Sequence, residues 1–323
     1  MISDKENNPL MPLESALPSI MRKDLKLLFA LSRTPHGLID MAAPALAALL
    51  CLGHFPAFPV VVVGIITVFA GYTAVYALND VIDYQTDKQK VCIGGYCDGE
   101  DFLDGALIRH PMAKGALSFS TGLVWTVCWA LIALAGAWWL NPVCLYIFLA
   151  GCILEGLYCL LWQVTPLRAV VNGVVKTLGA VAAVFAVNPH PSWFLLLVLF
   201  LWIFCWEIGG QNIPNDWTDL EEDRHFKART IPVAFGLRRA SLMSLSALIC
   251  ALFLNFILFW ASPLNFSSLL LMAALAANAW LLLQPALQLA EKQERQSAMA
   301  LFNKASYYPL ATLILVLAAI LMA

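Results

Sequence analysis

The 323 residues are 61% hydrophobic and only 12% charged, with a formal net charge of −2 and a mean hydropathy of +0.77. This composition lies far outside the range of soluble domains and places the chain in a bilayer. No Walker phosphate loop, dinucleotide-binding glycine fingerprint or HExxH zinc motif occurs, so nucleotide hydrolysis and zinc proteolysis have no footing, and no nucleic-acid partner is expected.

A helix needs about 20 apolar residues to cross a bilayer, and the chain offers nine such runs in succession. Residues 1–35 hold charge and proline but no apolar run followed by a small-residue cleavage site. They read as a cytoplasmic segment entering a surface helix near 21–32, not as a signal peptide. Spans follow at 36–53 and 57–78, the second closing on NDVIDYQTDK with Asn79, Asp80, Asp83, Asp87 and Lys88. The acidic connection 90–108, with Gly94 and Gly95, reads as a mobile lid loop inserted into the membrane domain 36–323. Its Cys92 and Cys97 supply at most half of a four-ligand zinc site and are taken as thiols. Spans at 117–140, 142–162 and 170–187 come next, the last containing Lys176. The sixth, 192–211, holds Glu207 and Gln211 and closes on NDWTDLEEDR with Asn215, Asp216, Asp219, Asp223 and Arg224. Runs at 240–261, 266–289 and 305–323 complete an all-α membrane bundle of nine helices.

Lysine and arginine are retained on the cytoplasmic side of short connections. Here they occupy the amino-terminal segment and every second connection: Lys88 to Lys114, Arg168, Arg224 to Arg239, and Lys292 to Lys304. The connections near His54, Asn141, Asn188 and Ser262 carry none. The alternation supports the helix count and predicts a cytoplasmic amino terminus in a multi-pass inner-membrane protein.

The two strings share the pattern N-D-x-x-D-x-x-x-D plus a basic residue, and each closes a long apolar span. The repeat has a period of four helices and predicts two related four-helix halves around a central cavity. Spacings of three and four residues put each set of carboxylates on one helical face. Like charges so arranged repel unless a cation sits among them. Mg²⁺, which takes oxygen ligands and commonly combines carboxylates with substrate phosphates, is the expected cofactor. Asp80, Asp83, Asp87, Asp216, Asp219 and Asp223 are the expected ligands, with Asp80, Asp83, Asp216 and Asp219 central to catalysis. A single D-x-x-D would read as a solvated helix end; the duplication, with matched asparagines and matched topology, favours the metal.

With both strings and nine helices, the chain from Arg33 onward resembles the UbiA family of intramembrane prenyltransferases. That resemblance implies that the strings hold prenyl diphosphate through Mg²⁺, ionise it, and let an acceptor attack the allylic cation. RHPMAKGALS, starting at Arg109, is similar to the arginine-proline segment that follows the family's first motif. ARTIPVAFG, ending at Gly236, is similar to the tail of its second. TPLR, ending at Arg168, resembles the loop after the fourth helix, without the family's tyrosine in register, and the 90–108 insertion is longer than the family's. The implied reaction is prenyl transfer to a hydrophobic, expectedly aromatic acceptor in quinone or related lipid biosynthesis. Relatives using tetrapyrrole or glycerol-phosphate acceptors form the alternative, and a secondary transporter is the alternative outside enzymes.

Around a departing diphosphate, the resemblance makes Asn79, Asn215, Arg109, Lys114, Arg168, Lys176 and Arg229 substrate-binding candidates. For Arg109 and Arg229 the plain reading is cytoplasmic charge, and for Lys176 it is snorkelling to the interface. Glu207 and Gln211, four apart, read either as contacts to the acceptor's polar head or as ties between helices; Glu155 is a third intramembrane carboxyl. Tyr72 and Tyr76, two turns and one turn before Asp80, read either as cation-π partners of the allylic cation or as packing.

Overall fold

Inside a bilayer no water satisfies backbone polar groups, so each apolar run closes its hydrogen bonds within itself as a helix. The computed structural model describes residues 24–93, 105 and 107–322. Among these, nine helices are long and apolar enough to cross a membrane: α1 (Thr34–Leu52), α2 (Phe58–Ile82), α3 (Phe119–Leu140), α4 (Pro142–Leu160), α5 (Arg168–Val187), α6 (Trp193–Thr218), α7 (Leu237–Ala261), α8 (Ser268–Lys292) and α9 (Arg295–Met322). Residues 24–31 form the expected surface helix. The expected lid lies largely outside the described residues, but its first three residues, 90–92, end a helix and do not belong to a loop. Lys90 is buried in the helix Tyr84–Cys92.

Local signals set the helix starts. Ser118, Asn141, Ser192 and Ser267 cap α3, α4, α6 and α8 by accepting from backbone N–H groups of the first turn, which satisfies donors that no carbonyl reaches. Proline occupies the first turn of α1, α2 and α4, where its missing N–H costs nothing. Helices packed in lipid gain little from hydrophobic transfer, so close backbone approach decides their contacts. At Gly136 of α3 an added Cβ would lie 2.0 Å from Thr67 Oγ1 of α2, and glycine is what lets this pair close.

The cavity is lined by α1–α6 and α9, with α1 packed against α2, α5 and α9. Two boundaries differ most from the apolar-run reading, the others by at most four residues. The sixth span continues to Thr218 and the ninth begins at Arg295, because polar helix ends at the protein interior do not register as apolar runs.

Two further irregularities shape the site. Neither aspartate string lies on one continuous helix: the chain breaks at Asp83 (φ −84°, ψ 3°) and again at Asp219 (φ −101°, ψ 17°), and new helices start at Tyr84 and Leu220. The same break at the same motif position supports the relation between halves. In α6, residues Glu207–Asn212 form a π-helical turn ahead of Pro214. Proline has no N–H for the carbonyl four residues earlier, Gly210, and Gln211 Nε2 donates to that oxygen instead, at 3.2 Å. The neighbouring Gly209 carbonyl accepts from Ser244 Oγ of α7.

Candidate active site at the mouth of the bundle

One cavity of about 720 Å³ runs inside the bundle from the aspartate strings to the opposite end of α2 at Val60 and Val61. Twenty residues of helix separate Val60 from Asp80, so the cavity follows α2 for about 30 Å. Polar groups gather at its mouth and in a layer below it; the remainder of its wall is largely aliphatic and aromatic.

At the mouth the first string meets the segment after the insertion. His110, in the left-handed backbone region, places Nδ1 3.1 Å from Asp80 Oδ1 and 2.9 Å from Asp87 Oδ2. Burial opposes the imidazolium, but the two carboxylates outweigh it and raise His110 to about 9. Arg33 Nη2 stands 3.9 Å from Asp80. Asp83, at the helix break, is pushed up to about 6, first by burial and then by the Asp87 charge.

Across the cavity Arg168, the first residue of α5, donates to Asp216 Oδ1 at 2.6 Å, with both side chains buried. Its guanidinium lies 4.6 Å from the centre of the Tyr158 ring. Arg109 reaches Asp219 at 3.8 Å. Asp223 accepts from Trp162 Nε1 at 3.2 Å, and burial followed by Asp216 raises its pKa. Lys90 Nζ lies over the Trp162 ring, 4.3 Å from its centre. Asn79 donates to Glu155 Oε1 at 2.8 Å and Asn215 lines the wall. Lys114 is partly buried on the turn after His110, and Arg229 is exposed, its backbone N–H donating to Trp162 O at 2.8 Å.

The donor set suits a hard divalent cation. The carboxylates of both strings line one cavity, and Asp216 Oδ2 and Asn212 Oδ1 are buried there without a protein partner among the described residues. Oxygen-only ligation with open positions is the preference of Mg²⁺.

About two turns lower, a second polar group surrounds Asp40 of α1. Tyr76 Oη donates to Asp40 Oδ2 at 2.5 Å, and Lys176 Nζ donates to Asp40 Oδ2 at 2.7 Å and to Tyr76 Oη at 2.5 Å. His36 Nε2 lies 3.6 Å from Asp40 Oδ1 and stacks on Phe302 of α9. Lys176 therefore turns inward to an ion pair and does not snorkel. It also sits over the Tyr76 ring, 4.7 Å from its centre, with Tyr72 at 6.0 Å, so a cation of the protein already covers the Tyr76 face. Glu207 accepts from Asn172 at 3.0 Å. Gln211 gives its amide to neighbours: Nε2 to Phe302 O and Oε1 from Ser306 Oγ, both on α9.

Sequence reasoning passed over Asp40, His36, His110 and Asn212. Asp40 carried a usable signal, since a carboxylate inside an apolar span is by default functional. Asn212 carried none, because in a π turn residue i aligns with i+5 and not with i+4; Glu207 shares its face with Asn212, while Gln211 turns to α9.

These features can be set beside known proteins. The family model described as the UbiA prenyltransferase family matches residues 41–308. A digeranylgeranylglyceryl phosphate synthase of Thermococcus kodakarensis is 21% identical over 218 residues, covering 68% of this chain and 72% of that one. A 4-hydroxybenzoate octaprenyltransferase of Tolumonas auensis is 26% identical over 206 residues, 62% of this chain and 65% of that one. The fold is shared with the apo structure of a UbiA homologue from Aeropyrum pernix K1, at TM-score 0.67, 17% identity and coverage of 89% and 97% of the two chains. A UbiA homologue from Archaeoglobus fulgidus bound to GPP and Mg²⁺ superposes at TM-score 0.60, 14% identity and coverage of 90% and 99%. With the family model spanning most of its length, and the duplicated aspartate strings and nine-helix bundle in agreement, the chain belongs to the UbiA prenyltransferase family.

Proposed function

We propose that the protein transfers a prenyl group from its diphosphate to an aromatic acceptor, with the reaction centre between the two aspartate strings. The observation that carries this reading is the pair of buried oxygens without protein partners, Asp216 Oδ2 and Asn212 Oδ1, beside carboxylates of both strings at the mouth of one long apolar cavity. Asp80, Asp83, Asp87, Asp216, Asp219 and Asp223 would hold the metal. Mg²⁺ bound there supplies positive charge to the diphosphate as it leaves.

The chain's own groups do the rest. Arg33, Arg109 and Arg168 stand beside aspartates of the two strings and neutralise the leaving group's remaining charge. The aliphatic wall below holds the isoprenoid tail and keeps water from the carbon that becomes cationic. Tyr72 and the ion-paired layer around Lys176 border the path of the acceptor. The lysine and arginine pattern supports a cytoplasmic mouth in the inner membrane, and the aromatic acceptor supports a place in quinone or related lipid synthesis. Both glycerol-phosphate and aromatic acceptors appear among the names of relatives.

The test is release of diphosphate from geranyl diphosphate by the purified full chain in detergent, with Mg²⁺ or with EDTA, and ring or glycerol-phosphate acceptors. Mg²⁺-dependent release with mass-spectrometric detection of a prenylated ring is the expected result. Product from glycerol-phosphate lipid alone would overturn the aromatic assignment, and no product from either class would overturn prenyl transfer.

A further inference from the structure

The layer beneath the aspartates contains a donor and an acceptor that the bundle leaves open. Glu207 is 2% exposed. Its Oε1 accepts from Asn172, while Oε2 is buried without a partner among the described residues. Leaving such an oxygen unbonded costs about 1–3 kcal/mol, a cost that a ligand can remove. Lys176 has three N–H donors, of which Asp40 and Tyr76 take two. Asn172 and Lys176 are one turn apart on the same face of α5, so the Asn172–Glu207 hydrogen bond brings Glu207 beside the ammonium. Both side chains line the cavity. Glu207 precedes Asp216 by nine residues and Lys176 follows Arg168 by eight, which sets the pair about 12 Å below the aspartates.

A hydroxyl group fits this pair, since it can donate to one partner and accept from the other. An anionic group does not. Lys176 is already paired with Asp40, and Glu207 itself would face the incoming charge. Resting on the prenyl-transfer reading above, we propose that Glu207 and Lys176 read the acceptor by its hydroxyl, which donates to Glu207 Oε2 and accepts from Lys176 Nζ. The acceptor is therefore a hydroxylated molecule with no charge at its buried end, and any carboxylate or phosphate it carries points to the arginine-bearing mouth. In a phenol the same hydrogen bond leaves more electron density on the ring that meets the allylic cation.

Three naphthalenes of matched shape test this: 1-naphthol, its methyl ether and 1-naphthoate, titrated into the full chain in detergent and followed by tryptophan fluorescence. Mg²⁺-dependent geranyl diphosphate binding, measured alongside by calorimetry, reports on the mouth. Naphthol should bind at least ten-fold more tightly than either analogue, as expected of a site built around a hydroxyl. Glu207→Gln keeps an oxygen for Asn172 but turns an amide donor to the cavity. The hydroxyl preference should then vanish or reverse toward the ether, with geranyl diphosphate affinity unchanged. Equal binding of naphthol and ether by the wild type, or an unchanged preference in Glu207→Gln, overturns the inference and leaves prenyl transfer standing. Failure of the wild type to bind geranyl diphosphate with Mg²⁺ overturns both.

Discussion

Arg168→Met isolates the electrostatics of the mouth. The guanidinium lies 2.6 Å from Asp216 Oδ1, Arg168 and Asp216 are 7% and 3% exposed, and methionine retains most of the apolar stem. Removing one partner of a buried ion pair costs about 3–5 kcal/mol, because the remaining charge is stranded. At roughly 2 °C per kcal/mol for a chain of this size, the metal-free variant should unfold about 6–10 °C below the wild type. Mg²⁺ should reverse much of this loss, since a cation at Asp216 replaces the missing charge. Saturation at a hundred times Kd already stabilises a protein by about 2.7 kcal/mol, and the variant should gain more than the wild type because no guanidinium competes for the carboxylate. Thermal unfolding in detergent, followed by tryptophan fluorescence with EDTA and with Mg²⁺, measures both terms. An equal Tm loss in the two conditions would refute the reasoning: Arg168 would then act through packing, and Asp216 would not be a metal ligand.

Asp80→Asn and Asp216→Asn should each abolish Mg²⁺-dependent turnover in protein that still folds, while exposed Glu221→Gln should retain most of it; near-normal rates in both asparagine variants would reduce the strings to solvated charge. A cysteine placed at Glu221 should resist impermeant thiol reagents applied outside intact cells, whereas one at His190 should react, and the opposite pattern would invert the proposed topology. Gly209→Ala should destabilise by about 1–3 kcal/mol, since its Cβ would meet the Ser244 carbonyl oxygen at 2.7 Å, whereas Gly64→Ala enters open space and should be neutral by the same unfolding assay.

The parts of this molecule legible in its sequence are those that repeat. Nine apolar runs and two copies of one aspartate string survive local irregularity, because a bilayer forces helices and because a duplicated pattern outweighs noise. What escaped notice depends on backbone geometry that spacing does not encode. Three-plus-four spacing matches an unbroken helix, so nothing in NDVIDYQTDK or NDWTDLEEDR announced the breaks at Asp83 and Asp219. Four-residue spacing joined Glu207 to Gln211, and the π turn undid that pairing. His110 is separated from Asp80 by the long insertion, and only the folded chain brings its ring between Asp80 and Asp87. Lys176 looked like an interface residue because its partner, Asp40, belongs to a helix 136 positions away.

The π turn of α6 acts as a phase shifter between scaffold and chemistry. A single residue subtends about 100° of an α-helix, so the surplus residue between Glu207 and Asn212 decides which side of α6 the second aspartate string presents, independently of how Trp193–Trp206 packs. Substitutions before it in the chain can change the bundle's contacts without turning Asp216, and those after it can reshape the mouth without repacking Trp193–Trp206. Deleting one residue there would keep every side chain the chemistry requires and swing Asp216 away from Asp80. The helix α8 carries the same device, a π turn at Ala279–Leu283 just ahead of Pro285, so the second half of the bundle sets its phase twice, each time with one proline and one extra residue.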